Sequence, residues 1–73
     1  MIESPNDTVQ VELDNHLLTI TLNRPDMLNA LNRDMTKALG VITEAIPQDP
    51  AIRVVLLQGA GDHFMAGGDL KEF

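Results

Sequence analysis

Four of the five glycines in this 73-residue sequence fall in one stretch, Gly59-Ala60-Gly61-Asp62-His63-Phe64-Met65-Ala66-Gly67-Gly68. Glycine lets the main chain approach a ligand closely and adopt positive φ. Between a strand and a helix, such a loop offers unpaired N–H groups to a phosphate, a carboxylate or an oxyanion forming in a reaction. A turn-forming loop that binds nothing is the competing reading, and local chemistry leaves both open. Two nucleotide motifs are excluded. The G-x-G-x-x-G pattern meets Phe64 where its third glycine should stand, and G-K-[ST] is absent. Cysteine and G-x-S-x-G are also absent, and the single serine is Ser4. The titratable groups nearby are Asp62, His63, Asp69 and Glu72. Asp69 reads first as a helix cap, its carboxylate at the positive end of the dipole. His63 reads as a partly exposed loop histidine. That leaves the main chain as the better chemical candidate, with the Gly68 N–H as donor.

A second defined loop is Asn23-Arg24-Pro25-Asp26-Met27-Leu28-Asn29-Ala30-Leu31-Asn32. Here Met27, Leu28 and Leu31 read as apolar plugs, and Asn29 and Asn32 as caps. The main chain at Met27–Leu28 is available for the edge of a flat ligand.

Three elements must position these loops. Val9, Val11 and Leu13 alternate with polar residues, as do Leu18, Ile20 and Leu22. With Asp14-Asn15 as turn chemistry, Thr8–Asn23 is predicted to be an antiparallel hairpin. Pro25 ends the second strand. Met35, Ala38, Leu39, Ile42 and Ile46 recur at helical spacing, with Asn32 as N-cap and Pro47 and Pro50 beyond. Gly40 interrupts this helix, and tight packing is one explanation for it. Val54-Val55-Leu56-Leu57 is apolar on both faces and predicts a buried strand, completing a βαβ unit. Residues 69–73 read as the first turn of a helix, and residues 1–7 as a disordered end.

Eleven acids against five bases give a formal charge of −6, and the bases form no patch, which argues against nucleic-acid binding. No apolar run reaches the roughly 20 residues of a membrane span. The polar, acidic start is unlike a presequence, so the expected location is cytoplasmic. His16 and His63 lack ligand spacing, and no metal is expected.

ITLNRPDMLNALN at 20–32, VVLLQGAGDHF at 54–64 and MAGGDLKEF at 65–73 together resemble the crotonase family, also called the enoyl-CoA hydratase/isomerase family. The resemblance implies an α/β fold that begins a spiral of ββα units: hairpin, helix, buried strand, glycine-rich loop and a truncated helix. Residues 8–73 would form the N-terminal part of that domain, with the C-terminal remainder absent. It implies an acyl-CoA partner, coenzyme A entering as part of the substrate, and no separate cofactor. It places Gly68 as one of two backbone donors to a thioester enolate oxyanion. Met27, Leu28, Ala66, Asp69, Leu70 and Lys71 would line the acyl-CoA site, with Lys71 toward a phosphate. The second donor and the catalytic glutamates would lie beyond residue 73, so Glu72 is not one of them and the 73-residue chain is expected to be inactive. Family members form trimers or paired trimers, and this chain alone is expected to self-associate or swap elements. The alternatives are a non-catalytic acyl-CoA-binding or assembly module, or another chemistry of the family: thioester hydrolysis, decarboxylation or dehalogenation.

Overall fold

The computed structural model describes residues 2–69. Strand β1 (Val9–Asp14) pairs antiparallel with β2 (Leu17–Leu22), from Val9 opposite Leu22 to Asp14 opposite Leu17. The hairpin turn is Asn15-His16, one residue later than the Asp14-Asn15 expected. Both residues take positive φ, 48° and 69°, because the twist of two strands joined by a two-residue loop favours left-handed positions. Histidine holds the second position through its contacts. Its Nδ1 lies 2.7 Å from the Ala51 carbonyl oxygen, and its own carbonyl accepts from Arg53 N–H at 2.9 Å. The turn thereby ties the hairpin to the start of β3.

Helix α1 (Arg33–Ala45) begins at the expected cap, where Asn32 Oδ1 accepts from Met35 N–H at 2.9 Å. Its stripe Met35, Ala38 and Ile42 is fully buried against Val9, Leu18, Ile20 and Leu22. Such a seam is the main stabilising term in a domain this small, because isolated helices of this length are marginal. Before β1, the segment expected to fray makes defined contacts. Ile2 packs on the core, and Asn6 Nδ2 donates to the Asp34 carbonyl at 2.9 Å.

Strand β3 (Val54–Gly59) pairs parallel with β2, giving the order β1-β2-β3 with β2 central. The expectation that β3 is buried on both faces is corrected: Val54, Val55, Leu56 and Leu57 are all exposed, at 58%, 44%, 46% and 45%. Register places Val55 and Leu57 beside Leu18 and Ile20 on the side that α1 covers. The helix seam lies over β1 and β2, however, and leaves β3 open on both faces. Of the truncated helix expected over 69–73, only Asp69 is among the described residues; Leu70, Lys71, Glu72 and Phe73 lie outside them.

Tight packing does not explain Gly40, since a Cβ built there meets nothing within 4 Å. Gly40→Ala is therefore expected to raise the unfolding free energy by about 1 kcal/mol, measured by urea titration of the chain.

Candidate functional site

Both glycine-loop ends and the Arg24–Leu31 loop meet above the ends of β2 and β3, held there by Asn29. This side chain is fully buried. Its Oδ1 accepts from Arg24 N–H at 2.7 Å, and its Nδ2 donates to the carbonyls of Ala60 at 2.9 Å and His63 at 2.7 Å. Its sequence context predicts a cap. In the fold it links two loops more than 30 residues apart in the chain. Its own φ of 55° is a conformation that asparagine tolerates better than most residues.

Gly59 is glycine because of this link. A Cβ there would stand 2.4 Å from the His63 carbonyl oxygen, 2.6 Å from that of Phe64 and 2.8 Å from Asn29 Nδ2. The two obstructing carbonyls belong to the main chain and cannot rotate aside.

Pro25–Met27 forms one 3-10 turn and is followed by Leu28, also at φ 55°. A leucine in the left-handed region costs about 1–2 kcal/mol. It turns the Leu28 carbonyl to accept from Ala66 N–H at 3.0 Å. The Met27–Leu28 main chain was expected to be free for a ligand edge, but its amides are consumed within the turn. Met27 N–H donates to the Arg24 carbonyl at 2.9 Å and Leu28 N–H to that of Pro25 at 3.2 Å. What this turn offers outward is its side chains, Met27 at 41% exposure and Leu28 at 45%.

Leu31 and Gly68 form an isolated parallel bridge. Leu31 N–H donates to the Gly67 carbonyl at 2.7 Å, and Asp69 N–H donates to the Leu31 carbonyl at 2.7 Å. In a planar trans peptide the C=O and N–H point in opposite directions. The 67–68 peptide aims its carbonyl at Leu31, so its N–H, that of Gly68, points away from the 28–31 segment. Among the described residues this N–H donates to no protein acceptor. Gly68 and its neighbours Ala66 and Gly67 are exposed. The positive φ of 94° at Gly67 supplies the bend that sets this peptide on edge.

Asp69 is buried at 8% exposure. Its Oδ2 lies 3.1 Å from Arg24 Nη2, and Arg24 Nη1 donates to the Ala30 carbonyl at 2.5 Å. The position of Asp69 in the sequence predicts a helix cap, and no local signal marks Arg24 as its partner. Only the fold brings these residues, 45 apart in sequence, together. Of the other candidates, Asp62 and His63 are exposed, and the His63 carbonyl, not its ring, takes part in the network. Leu70 and Lys71 lie outside the described residues. Among the described residues no group of three or more histidine, aspartate or glutamate side chains is placed to hold a metal, and no helix is long and apolar enough to cross a membrane.

A family model described as enoyl-CoA hydratase/isomerase matches residues 17–73. An enoyl-CoA hydratase of Mycobacterium tuberculosis is 41% identical over 70 residues, covering 96% of this chain and 26% of that protein. A small ribosomal subunit protein, mS47, of Schizosaccharomyces pombe is 40% identical over 68 residues, covering 93% of this chain and 16% of that protein. Among solved structures, an enoyl-CoA hydratase/isomerase from Pseudoalteromonas atlantica T6c superposes with a TM-score of 0.87 at 45% identity, covering 92% of this chain and 27% of that one. The chain thus spans about a quarter of the length of the hydratases it matches.

Removing the Asn29 amide strands the Arg24 N–H and two carbonyls. Asn29→Ala is expected to lower the unfolding free energy by about 2–4 kcal/mol, and Gly59→Ala to be at least as damaging. Both are read from thermal or urea unfolding, with an exposed-site control such as Thr43→Ala staying within about 0.5 kcal/mol of wild type.

Proposed function

Because the chain belongs to the enoyl-CoA hydratase/isomerase family, we propose that it forms the acyl-CoA-binding N-terminal part of an enzyme of the hydratase/isomerase type. The observation that carries this reading is the Gly68 N–H. It is unpaired among the described residues, faces away from Leu31 and is fixed by hydrogen bonds on both sides.

The chemistry follows from where charge develops. Adding water to, or moving, a double bond next to a thioester places negative charge on the thioester oxygen. A donor held in advance toward that oxygen binds the charged species more strongly than the substrate, and so lowers the barrier. A main-chain N–H serves well because it cannot titrate and needs no reorientation. Met27 and Leu28, exposed beside Ala66, supply apolar surface for the coenzyme A arm. By resemblance to the family motif, Leu70 and Lys71 are further residues of the acyl-CoA site, with Lys71 assigned to a phosphate. Asp69 serves the frame of the site, its carboxylate on Arg24 and its N–H on the Leu31 carbonyl. A second donor and the acid and base groups come from outside these 73 residues, so the chain alone is inactive. Which reaction of the family is carried out is decided there too. A cytoplasmic location and a trimeric or hexameric assembly accompany this reading. The exposed, apolar edge strand β3 favours self-association of the isolated chain, because an open edge templates pairing.

The likeness to mS47 supports a second reading, a non-catalytic assembly module that keeps this framework without turnover. The two separate on Gly68. In a hybrid joining this chain to the C-terminal remainder of a family hydratase, Gly68→Pro deletes the N–H and is expected to lower kcat for crotonyl-CoA by about 10²–10³. Gly68→Ala keeps the donor and is expected to retain most activity. Equal losses in the two variants contradict the donor role. Turnover by the unassisted 73-residue chain contradicts its inactivity. Sedimentation of the isolated chain is expected to show species larger than a monomer, and a single monomeric species contradicts self-association.

A further inference from the structure

We propose that Arg24 is a positioning residue for the Gly68 donor, its forked guanidinium fixing the 67–69 main chain against the end of β2. This inference rests on the oxyanion reading above and adds to it the side chain that makes the donor rigid.

In an isolated bridge, not a continuous ladder, the 67–68 peptide is held to Leu31 by one main-chain bond, through the Gly67 carbonyl, and the 68–69 peptide by another, through the Asp69 N–H. Its neighbours on the N-terminal side, Ala66 and Gly67, are exposed, and Gly67 sits at φ 94°. Such a bridge can hinge or slide, whereas an oxyanion donor must stand within about 2.7–3.1 Å of a defined point. A displacement of about 1 Å at a reacting centre can cost about 10² in rate. A second, lateral restraint is therefore needed.

Arg24 supplies it from rigid ground. The preceding residue, Asn23, still bonds into the sheet, its N–H donating to the Thr8 carbonyl at 2.7 Å. The Arg24 N–H is held by Asn29 Oδ1, and its carbonyl accepts from both Met27 and Asn29 N–H. From this fixed main chain the side chain spans the site. Nη1 reaches the Ala30 carbonyl, next to Leu31, and Nη2 reaches Asp69 Oδ2, next to Gly68. One planar group thus binds both strands of the bridge at once. Its side chain is 16% exposed and that of Asp69 9%, so the pair is largely shielded from water. A lysine carries the charge but lacks the fork, and cannot serve both oxygens in this geometry.

Two measurements test this. In the 15N-labelled chain, Arg24→Gln and Arg24→Lys are both expected to speed hydrogen exchange at the Asp69 amide by about tenfold or more and to lower the Gly68 order parameter, while amides central to β1 and β2 change little. Unchanged Gly68 and Asp69 amides in both variants overturn the proposal. In the hybrid enzyme, Arg24→Gln is expected to lower kcat by about 10–10² with little change in KM for crotonyl-CoA, because the donor acts in the transition state and not in coenzyme A binding. Arg24→Lys is expected to restore only part of that loss. In an Asp69→Asn background Arg24→Gln is expected to cost markedly less, as it must if Arg24 acts through Asp69. A kcat per folded enzyme equal to wild type, or a rise in KM alone, overturns the positioning role. Gly68→Pro in the same hybrid separates the two layers. If it retains turnover, the oxyanion reading fails. If it is inactive while Arg24→Gln runs at the wild-type rate, only the positioning role fails.

Discussion

The loops of this protein are organised around one carboxamide. Asn29 sits fully buried and spends all of its strong hydrogen-bonding groups on main chain: one acceptor on Arg24, two donors on Ala60 and His63. Buried polar groups are costly unless they are satisfied, so this set is all or nothing. Its consequences reach outward. Gly59 has to lack a side chain because the His63 and Phe64 carbonyls occupy the place of a Cβ. Leu28 and Asn29 take two successive left-handed conformations, and the strain is offset by the bonds they make possible. With the first loop fixed, Leu28 and Leu31 present the carbonyls and N–H that capture Ala66, Gly67 and Asp69.

That capture gives the glycine-rich loop its chemical direction. The bond from Leu31 N–H to the Gly67 carbonyl decides which way the 67–68 peptide faces, and peptide planarity then decides where the Gly68 N–H points. An oriented dipole in a fixed frame is the form of electrostatic stabilisation that requires no reorganisation during reaction. The charged groups nearby, Arg24 and Asp69, face each other and serve the frame.

Much of this could be read in the sequence, and what could not has physical causes. Alternation gave the hairpin strands, helical spacing gave α1 and its buried stripe, and Asn32 was identifiable as a cap because its partner, Met35 N–H, is local. Gly68 stands out in the sequence through the resemblance of its segment to a family motif, and the proposal that its N–H is a donor starts from there. The roles of Arg24 and Asn29 are not encoded locally because each has a defining partner 30 to 45 residues away, Asp69 for Arg24 and Ala60 and His63 for Asn29. The Met27–Leu28 amides looked available because a 3-10 turn closing on Arg24 and Pro25 leaves little periodic signal. The strand Val54–Leu57 was read as buried from composition, which records that a surface is apolar and not what covers it. The turn falls at Asn15-His16 because Asp14 still pairs with Leu17 in the ladder, leaving those two residues as the loop, with His16 held by the Ala51 carbonyl.

The central claim is that the main-chain N–H at Gly68 meets the oxygen of an acyl-CoA thioester. A crystal structure of the hybrid enzyme bearing this chain, with an unreactive acyl-CoA bound, tests it most directly. The thioester oxygen is expected at about 2.7–3.1 Å from the Gly68 nitrogen. A thioester oxygen bound elsewhere, with the Gly68 N–H donating to a protein carbonyl, would contradict it.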